Sequence, residues 1–236
     1  MDRGAAELVA DRLFALGATA VAEHAGADEA RITLVADLDP SAVEVLLAEG
    51  WSPRVRAAAA GWEDSWREHA RVWRCGRHLV LRPAWVDPVP LEPGDVEIVM
   101  EPGRAFGSGS HPTTRLCLAE VERLVRPGDR VLDVGCGTGV LGVAAALLGA
   151  GRVDAVDIDP HAVEVTRALA ERHGVADRVA ASTTPLAELD RGDDLVLANL
   201  LLPALRELAD DLVARTDGGH LVVSGVLVEQ VAEAVE

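Results

Sequence analysis

From Pro127 onward the chain alternates short apolar runs with helical segments so regularly that few architectures remain. Strands are predicted at 131–134, 153–156, 178–182, 195–198 and 220–224, and helices at about 140–148, 160–173, 203–214 and 226–235. Strands separated by helices cannot close hairpins with their sequence neighbours. They align in parallel, the helices cross over the sheet, and both faces become buried. The fold class is therefore α/β with a doubly wound parallel sheet, and such sheets bind ligands beyond the carboxyl ends of their strands.

The first of these strands runs straight into a glycine turn, VLDVGCGTG, residues 131–139. Gly135, Gly137 and Gly139 let the backbone turn tightly and approach a ligand with no Cβ in the way. A dinucleotide fingerprint G-x-G-x-x-G needs glycine at 140, where this chain has Val140, so G-x-G-x-G behind an acid points to different chemistry. Asp133 would repel a pyrophosphate and suits a cationic amine. A turn of purely structural purpose is the alternative. In AVDIDPHAVEV, Asp157 lies twenty positions past Gly137 at the end of the second strand, where a carboxylate takes both hydroxyls of a ribose. Asp159 precedes Pro160 and reads as a helix N-cap, a structural role.

Ahead of this region the pattern is different. Apolar residues at helical spacing from Ala5 to Leu16, short strands near Ala20 and at 31–36, a helix opened by Asp39-Pro40-Ser41 and a return strand at 54–59 describe a small α+β unit over residues 1–60. It is similar to a βαββαβ domain without its first strand. All five tryptophans lie between Trp51 and Trp85. Trp62 and Trp66 share a helix face, and RVWRCGRHLVLRP reads as a hairpin turning near Cys75-Gly76. Residues 61–94 are thus a Trp-rich linker, packed against both domains or forming a partner groove. The remainder, 95–236, is the ligand-binding domain.

The formal charge of −17 disfavours direct nucleic-acid binding and favours a basic partner. No apolar run reaches the roughly 18 to 20 residues that span a bilayer, and MDRGAAELVADRL is charged where a signal peptide needs its apolar core. The expected location is cytoplasmic. Cys75, Cys117 and Cys136 are odd in number and scattered, which argues against a disulfide framework. Cys75 with His78 is the nearest thing to a metal pair, and without a second pair no metal is expected.

An acid before the glycines, G-x-G-x-G, and an acid at the end of strand two together resemble the class I S-adenosylmethionine-dependent methyltransferases, over about residues 128–225. Two further segments, EPGRAFGSGSHPTT at 101–114 and DDLVLANLL at 193–201, resemble more narrowly the ribosomal protein L11 methyltransferase family. Its members methylate amines on a ribosomal protein of the large subunit. The Trp-rich connector and the small N-terminal domain are similar to that family too. The resemblance implies a Rossmann-like domain that binds S-adenosyl-L-methionine, a small substrate-recognition domain, and cofactor contacts at Thr114, Gly135, Asp157 and Asn199.

A hydroxyl at Thr114, beside free N–H groups of a helix start, suits the cofactor carboxylate, although Thr113 or Thr114 as a simple helix cap is an alternative. Asn199 is the expected catalytic residue, its side-chain carbonyl accepting a hydrogen bond from the amine. Leu200 and Leu201 follow where many amino methyltransferases carry Pro-Pro-aromatic, which favours an alkyl amine over a planar base. His111 is the one candidate base, and a role in positioning the loop suits it better. In the glycine loop, Gly103, Gly107 and Gly109 supply mobility and Phe106 an apolar face for a lid over the cofactor. Family members continue past the last predicted helix with an antiparallel strand pair, whereas this sequence ends at Glu236. Methylation of another acceptor on the same fold, or a non-catalytic cofactor-binding module, remain open at this point.

Overall fold

The computed structural model describes residues 9, 12–13, 16, 21–25, 32–36, 38–55, 71–101, 111–190, 192–216 and 218–226. The chain divides into two compact units, Met1–His69 and Ala70–Glu236. In the first, Val9, Arg12 and Leu13 are helical, β1 (Val21–Ala25) pairs antiparallel with β2 (Ile32–Ala36), and α1 spans Pro40–Ala48. Asp39 caps α1 by accepting the Ser41 N–H at 2.9 Å, with Pro40 at the first helical position. Buried Val9, Leu13 and Leu46 form its core. Trp51–Val55 are irregular, so no strand begins at 54, and the rest of the strand expected at 54–59 lies outside the described residues, as do Trp62 and Trp66.

The second unit carries the predicted hairpin. β3 (Trp73–Cys75) and β4 (Leu79–Pro83) are antiparallel, and β5 (Val96–Met100) adds to β4 in parallel. Gly76, at φ 83°, makes the turn. Glu122 of α2 (Pro112–Leu124) fastens it, its carboxylate accepting the backbone N–H groups of Arg77 and, at 2.6 Å, His78. A Cβ on Gly76 would overlap that carboxylate. β5 was not predicted, although Val96, Ile98 and Met100 alternate with Glu97 and Val99, and Ile98 is fully buried.

The main sheet has the order β10-β9-β6-β7-β8, all parallel, from β6 (Arg130–Val134), β7 (Arg152–Val156), β8 (Val179–Ser182), β9 (Leu195–Asn199) and β10 (His220–Ser224). Helices α3 (Val140–Leu147), α4 (Pro160–Arg172) and α5 (Leu202–Arg215) connect the strands. Alternation along each strand divides the core in two. Val131, Val153, Leu195 and Leu197 pack with residues of α2, α3 and α4, while Leu132, Val134, Val196 and Ala198 pack with Leu205 and Leu212 of α5. Each predicted strand of this sheet is present within two residues of its expected bounds, and the helix expected at 226–235 falls almost wholly outside the described residues. The strand order reverses between β6 and β9, and the crevice beyond their carboxyl ends is where this architecture places a ligand.

Candidate active site

β6 leads directly into the glycine turn. Gly135, Gly137 and Gly139 have φ of 69°, 53° and 76°, a left-handed conformation that costs a side-chain-bearing residue about 1–2 kcal/mol. The N–H groups of Gly135 and Cys136 donate to the Val156 carbonyl at 2.8 and 3.0 Å, which stitches the turn to the end of β7. A Cβ at Gly139 would lie 2.6 Å from Thr166 of α4. Thr166 is fully buried, its hydroxyl 3.2 Å from the Gly137 carbonyl oxygen and 3.3 Å from Cys136 Sγ. Nothing in the sequence motif announces Thr166, because it lies on a different element from the turn it supports. Thr166→Val keeps the shape and deletes the hydroxyl, and should cost about 1–2 kcal/mol in urea unfolding, the usual effect of orphaning a buried partner. An unchanged midpoint would show that the hydroxyl contributes nothing to the turn.

Asp157 stands at the end of β7 where predicted. Its Oδ2 accepts the Gly137 N–H at 2.9 Å and its Oδ1 accepts the Asp159 N–H at 3.0 Å. Both oxygens are thereby oriented while each retains a lone pair. Asp159 caps α4 through the His161 N–H, as expected. Between the two acids, Ile158 is 99% exposed. Sequence reasoning passed over it, although an aliphatic residue flanked by aspartates at a strand end is itself a signal of a surface that a flat ring can cover.

Asp133 is buried against the start of α3. It is 1% exposed, and its Oδ2 accepts the Gly142 N–H of α3 at 3.0 Å. Burial pushes this carboxyl up to about 7, opposed by the Gly142 hydrogen bond and assisted by the charge of Asp157. The acid expected to face a cationic amine is thus buried and hydrogen-bonded to the backbone of α3.

Thr114 lies in the first turn of α2 and is fully buried, with no hydrogen-bond partner for Oγ1. The helix cap is neither Thr113 nor Thr114 but His111, whose Nδ1 accepts the Thr113 N–H at 3.3 Å and sits 2.7 Å from the Thr113 hydroxyl. His111 thus positions the chain at the helix start. One turn further along α2, burial raises the Cys117 thiol to about 11, opposed by the nearby Ser224 side chain at the end of β10. Phe106 and the loop glycines Gly103, Gly107 and Gly109 lie outside the described residues.

Asn199 ends β9 at the switch point. Its Oδ1 is buried without a hydrogen-bond partner, an arrangement that costs about 1–3 kcal/mol unless a ligand supplies the donor. Leu201 beside it is 38% exposed, and the Leu200 side chain lies over Gly135, where a Cβ would overlap Cδ2. Among the described residues, no cluster of His, Cys, Asp or Glu could hold a metal ion, and no helix is long and apolar enough to cross a membrane.

Curated relatives of the chain include ribosomal protein L11 methyltransferases. The ribosomal protein L11 methyltransferase of Geobacter sulfurreducens is 51% identical over 176 residues, covering 74% of this chain and 58% of that protein. Its counterpart in Citrifermentans bemidjiense is 49% identical over 178 residues, 72% of this chain and 58% of the relative. The chain thus spans a little under six tenths of the length of these curated relatives. The crystal structure of ribosomal protein L11 methylase from Lactobacillus delbrueckii subsp. bulgaricus matches with a TM-score of 0.62 at 34% identity, covering 69% of this chain and 83% of that one. The sequence profile described as ribosomal protein L11 methyltransferase (PrmA) matches residues 19–236, and the chain belongs to that family.

Proposed function

We propose that the chain binds S-adenosyl-L-methionine across the ends of β6, β7 and β9 and directs its methyl group to an amine of ribosomal protein L11. The observation that carries this reading is the buried, partnerless Asn199 Oδ1 at the switch point. A buried acceptor at the mouth of a cofactor crevice needs an N–H donor from outside, and an amine substrate brings one. The donor set fits the cofactor as well. The partnerless Thr114 hydroxyl, in the first turn of α2, suits a carboxylate. Asp157 has two oriented oxygens for a ribose, exposed Ile158 offers an apolar face to the base, and buried Asp133 supplies negative potential for the ammonium.

When bound, S-adenosyl-L-methionine supplies an electrophilic methyl on a positive sulfur. The protein's part is to present a neutral amine. Asn199 Oδ1 accepts one of its N–H bonds and so orients the nitrogen lone pair. A lysine amine, with a pKa of about 10.4 in water, loses its proton more readily when buried beside positive charge. His111 Nδ1 is occupied at the helix cap, so proton removal is assigned to solvent as the amine enters. The net charge of −17 draws in a basic protein such as a ribosomal component. Three free cysteines accord with the reducing cytoplasm, and nucleic acid has no part in this reading.

Incubation with radiolabelled S-adenosyl-L-methionine and purified ribosomal protein L11, followed by peptide mapping, tests the proposal. Label is expected on an amine of L11. Label only on other components of a cell extract would replace the acceptor, and failure to bind the cofactor in calorimetry would overturn the whole reading.

A further inference from the structure

We propose that Leu200 is a positioning residue that sets the spacing between the glycine turn and the Asn199 amide. The turn after β10 holds Leu200 in place for this task. The inference rests on the methyl-transfer reading above.

β6 and β9 are neighbours in the sheet, but beyond their ends the two chains separate, one entering the glycine turn and the other leading to α5. The Leu200 side chain occupies the gap. It presses on the bare Cα of Gly135 so closely that a Cβ there would overlap Cδ2 and lie 3.2 Å from Cγ. Gly135 is in turn bonded to the end of β7 through the Val156 carbonyl. One side chain therefore connects the residue next to Asn199 with the turn and, through it, with the strand end that carries Asp157.

A spacer works only if its own backbone is fixed, and Leu200 is pinned from the far side. Its N–H donates to the Ser224 carbonyl at 3.0 Å. Gly225, at φ 87°, lies flat on the Leu200 peptide, where a Cβ would overlap the carbonyl oxygen and stand 2.8 Å from the carbonyl carbon and 3.1 Å from the nitrogen. These neighbours are backbone atoms and cannot swing aside. Ser224 also pairs with Asn199 across the sheet. Leu200 is only half-buried, against the edge of the α5-side core, so filling that core does not by itself explain so much backbone fixation.

Kinetics and binding separate positioning from packing. For Leu200→Ala and Gly225→Ala, kcat for methylation of L11 should fall about 100-fold, the effect of a shift of about 1 Å at a reacting centre, while the calorimetric Kd for S-adenosylhomocysteine stays within about threefold. Leu200→Met, which restores length and volume, should recover kcat to within about fivefold of wild type. Wild-type kcat in Leu200→Ala, a loss of Kd that matches the loss of kcat, or a Met variant as slow as Ala would each overturn the proposal. A wild-type chain that binds cofactor but methylates nothing would instead overturn the functional reading, and this inference with it.

Discussion

Asp133→Asn is expected to make the unliganded protein more pH-tolerant while weakening its hold on the cofactor. The carboxyl is 1% exposed and its pKa is raised to about 7 from an ordinary 3.8. A raised acid favours folding below its unfolded pKa, where it is neutral in both states, and that advantage is lost as pH rises toward the folded value. Wild type should therefore lose stability relative to Asp133→Asn between about pH 4 and pH 7, by an amount on the order of 4 kcal/mol, with parallel behaviour above. Asn keeps an oxygen for the Gly142 N–H, so the hydrogen bond is not what changes. Cofactor affinity should move oppositely, because a cationic ligand favours the ionised acid. Wild-type affinity should rise between pH 5 and pH 7, whereas that of Asp133→Asn stays flat over the same interval. Urea unfolding and calorimetry across this range check both halves. Parallel stability curves for the two proteins would mean that the acid titrates as in water.

Asp157→Ala should lower cofactor affinity by about 100- to 10,000-fold. Two hydroxyl donors to a charged acceptor are worth about 1.5–3 kcal/mol each. The neighbouring Asp159→Ala is the informative contrast. Both acids accept a backbone N–H two residues ahead, Asp157 from Asp159 and Asp159 from His161, and Asp157 also accepts that of Gly137, so a purely structural account predicts a stability loss in both variants, the larger in Asp157→Ala. The functional account predicts that Asp159→Ala costs about 1 kcal/mol of stability, as a lost helix cap does, with affinity unchanged. Equal affinity losses in the two variants would remove Asp157 from the ribose site.

The doubly wound sheet was legible because each strand carries its own apolar run and each helix its own start signal, as Asp159-Pro160 shows for α4. The site was legible where its residues fall within short motifs, Thr114 and Asn199 being named through the family resemblance. Asp133, the three glycines and Asp157 could be named in advance, but the direction of the Asp133 side chain depends on strand alternation relative to α3, which a motif does not contain. Thr166 escaped notice, and Leu200 was read only for the acceptor it favours, because their contacts come from elements that meet only in the folded chain. The helix cap at α2 went to His111 against the ordinary preference for Ser, Thr, Asp or Asn, and this left Thr114 without a structural duty. β5 escaped because its partner β4 lies beyond the irregular connection at 84–95, so no local hairpin signal marks it.

The fastening of Glu122 to the hairpin turn has a mechanical consequence. Glu122 and Thr114 lie eight residues apart on one helix, a rod of about 12 Å at 1.5 Å per residue. One end is bolted to a turn of the small three-stranded sheet, and the other carries the buried, partnerless Thr114 hydroxyl. A rigid rod transmits displacement instead of absorbing it. Gly76, remote from the chemistry, is thus coupled through one helix to the candidate anion contact, and a bulkier residue there would displace the Glu122 carboxylate that holds the hairpin turn against that helix.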